Sequence, residues 1–259
     1  AYFDPTYPVY ADVAAMKGMI GVPVAATSEN DFSPSPDGIK ADVIILCSPS
    51  NPTGVALDRQ SLARWVEHAR NTGAIIIYDA AYEGFVTDGK PRSIYEIEGA
   101  DEVAIEICSL SKTFGFTGIR CGYTVVPKAL GALRSAWARH RSTCFNGVSY
   151  VTQRMAEAAL LRSDEASANA AVYLKNARKL RRELTASGLK AWGGESPYVW
   201  LKTGTDSWTA FDKLLERGVI TTAGVGFGKG GEGYLRLPSF CTDEEIAFAI
   251  DAIKDVFCK

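Results

Sequence analysis

Lys112 and its small polar neighbours are the residues of this sequence best suited to do chemistry. The lysine follows Ser109 and Ser111 at alternate positions, and Arg120 comes eight residues after it. A lysine amine can form a Schiff base with a carbonyl group. Hydroxyl groups can donate hydrogen bonds to phosphate oxygens, and an arginine can bind phosphate through two parallel bonds. The spacing indicates a nucleophilic lysine beside a phosphate-binding loop, whereas Ser-x-Ser-Lys without further support is more often an ordinary surface loop.

Apolar runs predict the strands that would position these residues. Residues 41–47, 74–78 and 103–107 form apolar segments typical of buried parallel strands, and a fourth strand is predicted at 121–126. Helical or irregular segments separate these strands. The predicted fold class is therefore α/β, with a mostly parallel sheet and flanking helices.

Polar residues follow three of the predicted strands. Asn51 follows the first strand, Asp79 and Tyr82 follow the second, and Lys112 follows the third. Ligands of open α/β sheets bind at the carboxyl ends of the strands, so we expect these side chains to lie close together. Taken alone, Asp79 could be a helix cap, and Asn51 would most often be a turn residue.

Together these residues match what pyridoxal 5′-phosphate requires of a protein. Asp79 would pair with the protonated pyridine nitrogen, and Asn51 and Tyr82 would hydrogen-bond the phenolic oxygen. Lys112 would hold the cofactor and then act as the catalytic base. The predicted cofactor-binding residues are Asn51, Asp79, Tyr82, Ser109, Leu110, Ser111, Lys112 and Arg120.

The later part of the chain predicts a second, smaller domain. Helical patterns cover 148–161 and 165–187, after which short strands alternate with helices, one strand being predicted at 219–222. We therefore predict a large cofactor-binding domain over residues 1–164, incomplete at its N-terminus, and a small α+β domain over 165–259.

The composition limits the classes of protein to which this chain could belong. The chain has 259 residues, 47% of them hydrophobic and 22% charged, with a net charge of −2, and no basic patch that would indicate nucleic acid. No apolar run reaches the roughly 20 residues of a membrane-spanning helix. The six cysteines are scattered without a Cys-x-x-Cys pair, and only two histidines occur. We therefore expect no metal site, no disulfide framework and a reducing compartment.

Motifs distributed over essentially the whole chain resemble those of the fold-type-I pyridoxal phosphate-dependent aminotransferases. Three motifs are specific for that superfamily: Asn-Pro-x-Gly at 51–54, Asp-x-x-Tyr at 79–82 and Ser-x-Ser-Lys at 109–112. Three more narrow the resemblance to the LL-diaminopimelate aminotransferases: Pro-Arg-Ser-Ile at 91–94, Gly-Phe-Thr-Gly-Ile-Arg at 115–120 and Cys-Phe-Asn-Gly at 144–147. The resemblance implies the large and small domains of that fold.

The resemblance also implies a reaction and its substrate contacts. An amino group would pass between LL-2,6-diaminopimelate and 2-oxoglutarate, in lysine biosynthesis. Tyr7 would lie over the cofactor ring and near the substrate, which Asn51 would also contact, and Arg236 would bind the substrate α-carboxylate. On its own, Tyr7 would be a packing residue and Arg236 would fit a surface position equally well. The resemblance further implies a homodimer that is cytoplasmic, or in the plastid stroma if the source is a plant or alga.

Two departures from the family pattern leave alternatives open. The segment before Pro-Tyr-x-Trp usually carries a ligand-contacting asparagine, and here Glu195 stands near that place, with one residue fewer. A carboxylate there is unfavourable for a substrate carboxylate, so one alternative is an aminotransferase with another amino-acid substrate. Family members have roughly a hundred or more residues before the segment ending at Asp4, so we expect a partial sequence. The other alternative is therefore a non-catalytic pyridoxal-binding fragment.

Overall fold

The computed structural model describes residues 1–87 and 89–258, which divide into two compact units. Unit 1 comprises residues 1–34, 49–56 and 171–259, and unit 2 comprises residues 35–48 and 57–170. The strands are β1 (Tyr2–Asp4), β2 (Pro23–Ala25), β3 (Val43–Cys47), β4 (Ile75–Asp79), β5 (Ala104–Ser109), β6 (Gly122–Val125), β7 (Ala191–Gly193), β8 (Tyr198–Lys202), β9 (Thr222–Ala223) and β10 (Tyr234–Pro238). The helices are α1 (Val9–Met16), α2 (Arg59–Thr72), α3 (Ala100–Val103), α4 (Leu110–Thr113), α5 (Gly131–Cys144), α6 (Tyr150–Leu160), α7 (Ser163–Ala186), α8 (Ser207–Leu215) and α9 (Asp243–Phe257).

Unit 2 is built around the strands that the apolar runs predict. β3, β4 and β5 are parallel neighbours, with Cys47 opposite Asp79 and Asp79 opposite Ile107. The predicted fold class is confirmed, because consecutive parallel strands are joined by segments that contain helices. β6 pairs with β5 in the antiparallel sense, with Ser109 opposite Gly122. The carboxyl ends of the three parallel strands therefore lie along one edge of this sheet.

Helix α2 shows how local sequence sets the boundaries of an element in unit 2. The Asp58 side chain accepts a hydrogen bond from Ser61 N at 2.7 Å and so caps the first turn. Gly73 ends the helix with a φ of 77°, a left-handed conformation that costs glycine little. Between these ends, Leu62 and Trp65 are fully buried against the core.

Unit 1 contains an antiparallel sheet in the order β7-β8-β10-β9. Helices α7, α8 and α9 cover it with an apolar core that includes Leu184, Leu201, Leu214, Leu235 and Ile250. The strand predicted at 219–222 is wrong in extent, because β9 is only Thr222–Ala223. These two residues alone are placed opposite β10, with Thr222 facing Arg236 and Ala223 facing Leu235.

Contacts within unit 1 explain why its first residues group with its last. The Asp4 carboxylate accepts a hydrogen bond from Gly230 N at 3.0 Å, and Thr6 N donates to Phe227 O at 2.9 Å. The ring of Phe32 packs edge-on against Trp192 with ring centroids 5.2 Å apart. The compact units thus differ from the division at residues 164 and 165. The domains 1–164 and 165–259 stay a prediction, because a compact unit of the structure need not coincide with a domain of the family.

Three further findings concern the part of the chain that the structure describes. None of its helices combines the length and the apolar character that crossing a membrane requires. No three histidine, cysteine or acidic side chains there are grouped so that they could hold a metal ion. None of the six cysteines, all of which lie in this part, is joined in a disulfide bond.

Candidate active site

The segment from Ser109 to Arg120, called the lysine loop below, starts at the carboxyl end of β5 in unit 2. The Ser109 side chain accepts a hydrogen bond from Ser111 N at 3.2 Å and so begins the one-turn helix α4. Lys112 lies in that turn and is half-buried, while Ser111 is buried. The pattern of alternating serines did not predict this helix. Helix α4 places Ser111 and Lys112 immediately beyond β5, where the sequence predicted them.

Asp79 ends β4, the strand next to β5. Its Oδ1 accepts a hydrogen bond from Ala81 N at 3.0 Å, which turns the chain at the sheet edge. Ala80 N then donates to Ile107 O at 2.9 Å, so the backbone pairing continues past the strand. Asp79 and Ser109 consequently lie at the same edge of the sheet. Tyr82 is buried and precedes a short 3-10 turn, with its ring 6.3 Å from that of Phe85.

The far end of the lysine loop is held by its own backbone. Thr117 Oγ1 donates to Ser111 O at 2.8 Å, and Arg120 Nη1 donates to Thr117 O at 2.8 Å. Arg120 has a φ of 61°, a conformation that is uncommon for residues with a side chain. Its side chain is exposed. The loop therefore presents the guanidinium of Arg120 at the surface.

Leu110 lies within a small apolar cluster rather than at the surface. It is buried with Phe116 and Ala156, and its backbone N donates to Cys121 O at 3.1 Å. The side chain thus anchors the lysine loop to helix α6. Only the backbone of Leu110 is suited to contact a polar ligand.

Buried titratable groups beside the sheet edge are held in their neutral forms. The Tyr78 hydroxyl donates to Ser48 O at 3.2 Å, and burial raises the pKa of this phenol above its ordinary value. Burial likewise raises the pKa of the Cys108 thiol to about 12, and the thiol donates to Glu106 Oε1 at 3.5 Å. At neutral pH neither group competes with Lys112 as a nucleophile or base.

A second group of polar residues surrounds Arg236 on β10 of unit 1. Arg236 Nη1 donates to Asn51 Oδ1 at 2.8 Å, and Nη2 donates to Thr222 Oγ1 at 3.2 Å. Asn51 is buried, while Arg236 is half-buried. The structure thus brings together two of the residues predicted to bind substrate, although 185 positions separate them in the chain.

Two aromatic rings complete the surroundings of Arg236. Its guanidinium carbon lies 4.4 Å from the ring centre of Tyr198 and 4.8 Å from that of Phe227, both favourable cation–π distances. Among the described residues, Nε of Arg236 is one of the few buried side-chain nitrogens without a hydrogen-bond partner. An unpaired buried donor is costly, so a ligand oxygen at this position would be stabilised. Arg236, Asn51, Thr222, Tyr198 and Phe227 form what we call the arginine site.

Sequence reasoning missed three members of the arginine site. Thr222 lies directly opposite Arg236 in the β9–β10 pair, a relation that depends on register. Tyr198 lies on β8, diagonal to Arg236, because Arg236 is opposite Trp200. Phe227 lies in a glycine-rich run at 224–233, and nothing in that composition indicates a contact with Arg236. A usable signal for Tyr198 is its spacing of two residues from Trp200, which puts both on one face of β8.

The glycine-rich run at 224–233 contains glycines at positions of close backbone approach. A Cβ atom at Gly228, whose φ is 119°, would lie 2.1 Å from Asp4 Oδ1, and one at Gly230 would lie 2.7 Å from Asp4 O. These glycines let residues 228–230 lie directly on β1. Tyr7, in the turn after β1, is 41% exposed, with its ring edge-on to that of Tyr10 at 5.7 Å.

Glu195, the residue that departs from the family pattern, forms hydrogen bonds to the loop 49–56 of unit 1. Its Oε2 accepts from Ala56 N at 2.9 Å, and its own backbone N donates to Gly54 O at 3.1 Å. The side chain is half-buried. Its carboxylate is therefore engaged by the loop 49–56, which also carries Asn51.

Comparison with known proteins identifies the class to which this fold and these residues belong. The chain belongs to the class I and II aminotransferase family, whose family model matches residues 1–253. Its relatives include an LL-diaminopimelate aminotransferase from Methanosphaera stadtmanae, 47% identical over 98% of this chain and 68% of the relative. Another from Desulforapulum autotrophicum is 45% identical over 97% of this chain and 68% of that relative.

A solved structure gives the same result. The L,L-diaminopimelate aminotransferase from Chlamydomonas reinhardtii superposes with a TM-score of 0.90 and 40% sequence identity, over 99% of this chain and 68% of that one. The family resemblance inferred from the motifs is confirmed, as is the enzyme class. The roles of the individual site residues stay a prediction.

Proposed function

We propose that this chain catalyses pyridoxal 5′-phosphate-dependent amino transfer between LL-2,6-diaminopimelate and 2-oxoglutarate, a step of lysine biosynthesis. The observation that carries the proposal is the 47% identity to an LL-diaminopimelate aminotransferase, which extends over nearly the whole chain. Similarity at this level favours the same reaction more strongly than a shared fold would, because one fold hosts many reactions.

The residues of unit 2 fit the proposed cofactor. When bound, pyridoxal phosphate supplies an electron sink for the bonds at the substrate α-carbon. Asp79 offers a carboxylate to a protonated ring nitrogen, and Lys112 offers the amine that holds the cofactor and carries a proton. Ser109, Ser111 and Arg120 offer phosphate donors. Leu110 is proposed to line the cofactor site beside them, although its backbone N already donates to Cys121 O. Tyr82 in unit 2 and Asn51 in unit 1 are proposed donors to the phenolic oxygen.

The arginine site supports a carboxylate-bearing substrate. A half-buried guanidinium with a fixed orientation and an unpaired Nε is prepared to bind a carboxylate. We assign Arg236 and Asn51 to the substrate α-carboxylate and Tyr7 to the substrate side of the cofactor ring. The Glu195 carboxylate is directed to Ala56 N, at the end of the loop that carries Asn51.

We further propose that the chain acts as a homodimer in the cytoplasm, with no nucleic-acid or membrane partner. Large apolar side chains are exposed on α1 and the turn after it and on α5 and α6, as is typical of surfaces that bind another protein. They include Met16, Ile20, Trp137, Tyr150 and Leu161. Analytical ultracentrifugation of the chain tests this, and a monomer at all micromolar concentrations would contradict it.

The absorbance spectrum of the purified chain after incubation with pyridoxal phosphate tests the cofactor and its lysine. We expect a visible absorbance band that is retained after dialysis and lost in Lys112→Ala. Lys128→Ala removes an exposed lysine of the same unit and is the matched control. Absence of the band from the parent chain would mean that these residues alone do not hold the cofactor, which contradicts both the proposal and the pyridoxal-binding alternative, whereas a band without amino transfer would support that alternative.

A panel of amino donors tests the substrate. Glutamate formed from 2-oxoglutarate is measured with LL-2,6-diaminopimelate, its meso isomer, aspartate, lysine and aromatic amino acids. We expect the LL isomer to give the largest kcat/KM. If another donor is preferred by tenfold or more, the alternative of an aminotransferase with another amino-acid substrate replaces the proposal.

A further inference from the structure

Two segments of unit 1 approach each other closely through their backbones. A Cβ atom at Gly54 would lie 2.2 Å from Tyr198 O, and one at Gly193 would lie 2.4 Å from Thr53 O. Both glycines have positive φ values, 70° and 92°. Residues 193–198 and the loop 49–56 therefore fit together through backbone, at positions where a side chain would clash.

Glu195 adds a side-chain hydrogen bond between these two segments. Its Oε2 accepts from Ala56 N, where the loop ends, and its backbone N donates to Gly54 O. Within the loop, Ser50 N donates to Val55 O at 2.8 Å, which closes the turn that carries Asn51. A side-chain oxygen that accepts from the buried amide of Ala56 satisfies this donor and holds the end of the loop in place. Glu195 thus fixes the exit of the turn whose other end positions Asn51.

The same two segments hold the guanidinium of the arginine site from two sides. Asn51, on the loop, accepts from Arg236 Nη1, and Tyr198, on the segment, places its ring 4.4 Å from the guanidinium carbon. A shift of the loop relative to the segment would therefore move one partner of Arg236 and leave the other in place.

We propose that Glu195 is a positioning residue, which aligns Asn51 with Tyr198 and so sets the affinity of Arg236 for a carboxylate. The proposal rests on the proposed function only in taking a carboxylate as the ligand of Arg236. It assigns to the glutamate a role that its negative charge alone would not suggest. If Glu195 acted through charge, removing the charge would strengthen dicarboxylate binding, whereas a positioning role requires only the acceptor oxygen.

Amide hydrogen exchange tests the contact without any ligand or cofactor. We expect Glu195→Ala to speed exchange of the Ala56 amide about tenfold, while Glu195→Gln, which keeps an acceptor oxygen, changes it little. The Ala210 amide, which donates within α8, is the internal reference. Glu216→Ala removes an exposed glutamate from the same unit and is the control variant. Unchanged exchange at Ala56 in Glu195→Ala would overturn the proposal.

Calorimetric titration with glutarate, a non-reacting dicarboxylate, tests the consequence. We expect about fivefold weaker binding by Glu195→Ala, with affinity retained by Glu195→Gln. In an Asn51→Ala background the same Glu195→Ala change should have no further effect, because the residue acts through Asn51. Tighter binding by Glu195→Gln, or an undiminished effect in the double variant, would overturn the positioning role.

The glutarate titration distinguishes failure of the proposed function from failure of the positioning role. If the parent chain binds no glutarate and Arg236→Ala behaves identically, the proposed carboxylate role of Arg236 is wrong, and the effect of Glu195 on affinity falls with it. If the parent binds glutarate but Glu195→Ala binds equally well, only the positioning role is wrong.

Discussion

The arginine site and the lysine loop differ in how completely their surroundings fix them. Arg236 has hydrogen bonds to Asn51 and Thr222 and two aromatic rings within 5 Å of its guanidinium carbon. The lysine loop has two buried apolar anchors, Leu110 and Phe116, and ends at Arg120, whose side chain is exposed. One site is organised by tertiary packing, and the other by the end of a strand and one helical turn.

This difference predicts different energetic behaviour for the two regions. A guanidinium already held in place loses little conformational freedom when it binds a carboxylate, so affinity should be intrinsic to the arginine site. The side chains of Lys112 and Arg120 must become ordered when they hold a cofactor, which costs free energy.

The largest effect is expected from Asp79→Asn at the sheet edge of unit 2. Asparagine can keep the oxygen that accepts from Ala81 N, so the turn should survive, but it cannot stabilise a protonated ring nitrogen. We expect turnover to fall by about a thousandfold, by analogy with the loss of preorganised electrostatic stabilisation. Single-turnover kinetics measure the chemical step directly.

The control for Asp79→Asn is the glutarate titration, which reports on the other region. Glutarate affinity should stay within about twofold of the parent value, because the arginine site has its own contacts. Full turnover by Asp79→Asn would show that Asp79 does not stabilise the ring nitrogen of the cofactor. A parallel loss of glutarate binding would contradict the independence of the two regions.

The next largest effect is expected from Arg236→Ala. Removing a half-buried, hydrogen-bonded charge that binds a carboxylate should weaken glutarate binding about a hundredfold. Arg236→Lys keeps the charge but not the planar fork, and should weaken binding about tenfold. Arg217→Ala removes an exposed arginine of unit 1 that pairs with Asp255, and serves as the control. Equal affinities for Arg236→Lys and the parent would show that geometry contributes nothing.

The contrast between the regions also explains what sequence could predict. The lysine loop, Asp79 and the ends of α2 follow from local signals, since apolar runs, caps and glycine stops act over a few residues. The arginine site depends on contacts between distant segments. Asn51 and Arg236 could be singled out individually, but nothing local predicts that Asn51 Oδ1 accepts from Arg236.

The errors have physical causes of the same kind. Val219-Ile-Thr-Thr222 has the β-branched composition of a strand, but only its last residue lies opposite β10, so the predicted strand is wrong in extent. The division of the chain into compact units could not be predicted, because the contacts of Asp4 and Phe32 with residues near the C-terminus are tertiary. The role of Glu195 as an acceptor for Ala56 N was hidden for the same reason.

A smaller effect is expected from Thr222→Val, which keeps the shape of the side chain but removes its hydroxyl. Arg236 Nη2 then loses an acceptor at 3.2 Å, and we expect glutarate binding to weaken about fivefold. Thr222→Ser restores the hydroxyl and should bind like the parent. Equal binding by the valine and serine variants would show that Asn51 and the two rings alone hold the guanidinium.

The smallest effect is expected from Asp58→Ala, which loosens unit 2 without touching either site. Loss of the N-cap should destabilise α2 by about 1 kcal/mol at neutral pH, measured by chemical denaturation followed through exchange of unit 2 amides. The hydrogen bond from Ser61 N lowers the pKa of the Asp58 carboxyl, so the stabilisation is present above the ordinary carboxyl pKa. It is lost as the pH falls through the lowered value, and the difference in stability between Asp58→Ala and the parent should disappear there.

Asp58→Asn keeps a cap that does not titrate, so its stability relative to Asp58→Ala should not depend on pH in this way. Since Asp58 belongs to unit 2, retention of pyridoxal phosphate should weaken slightly while glutarate affinity stays constant; equal losses of both would mean that the two regions are stabilised as one.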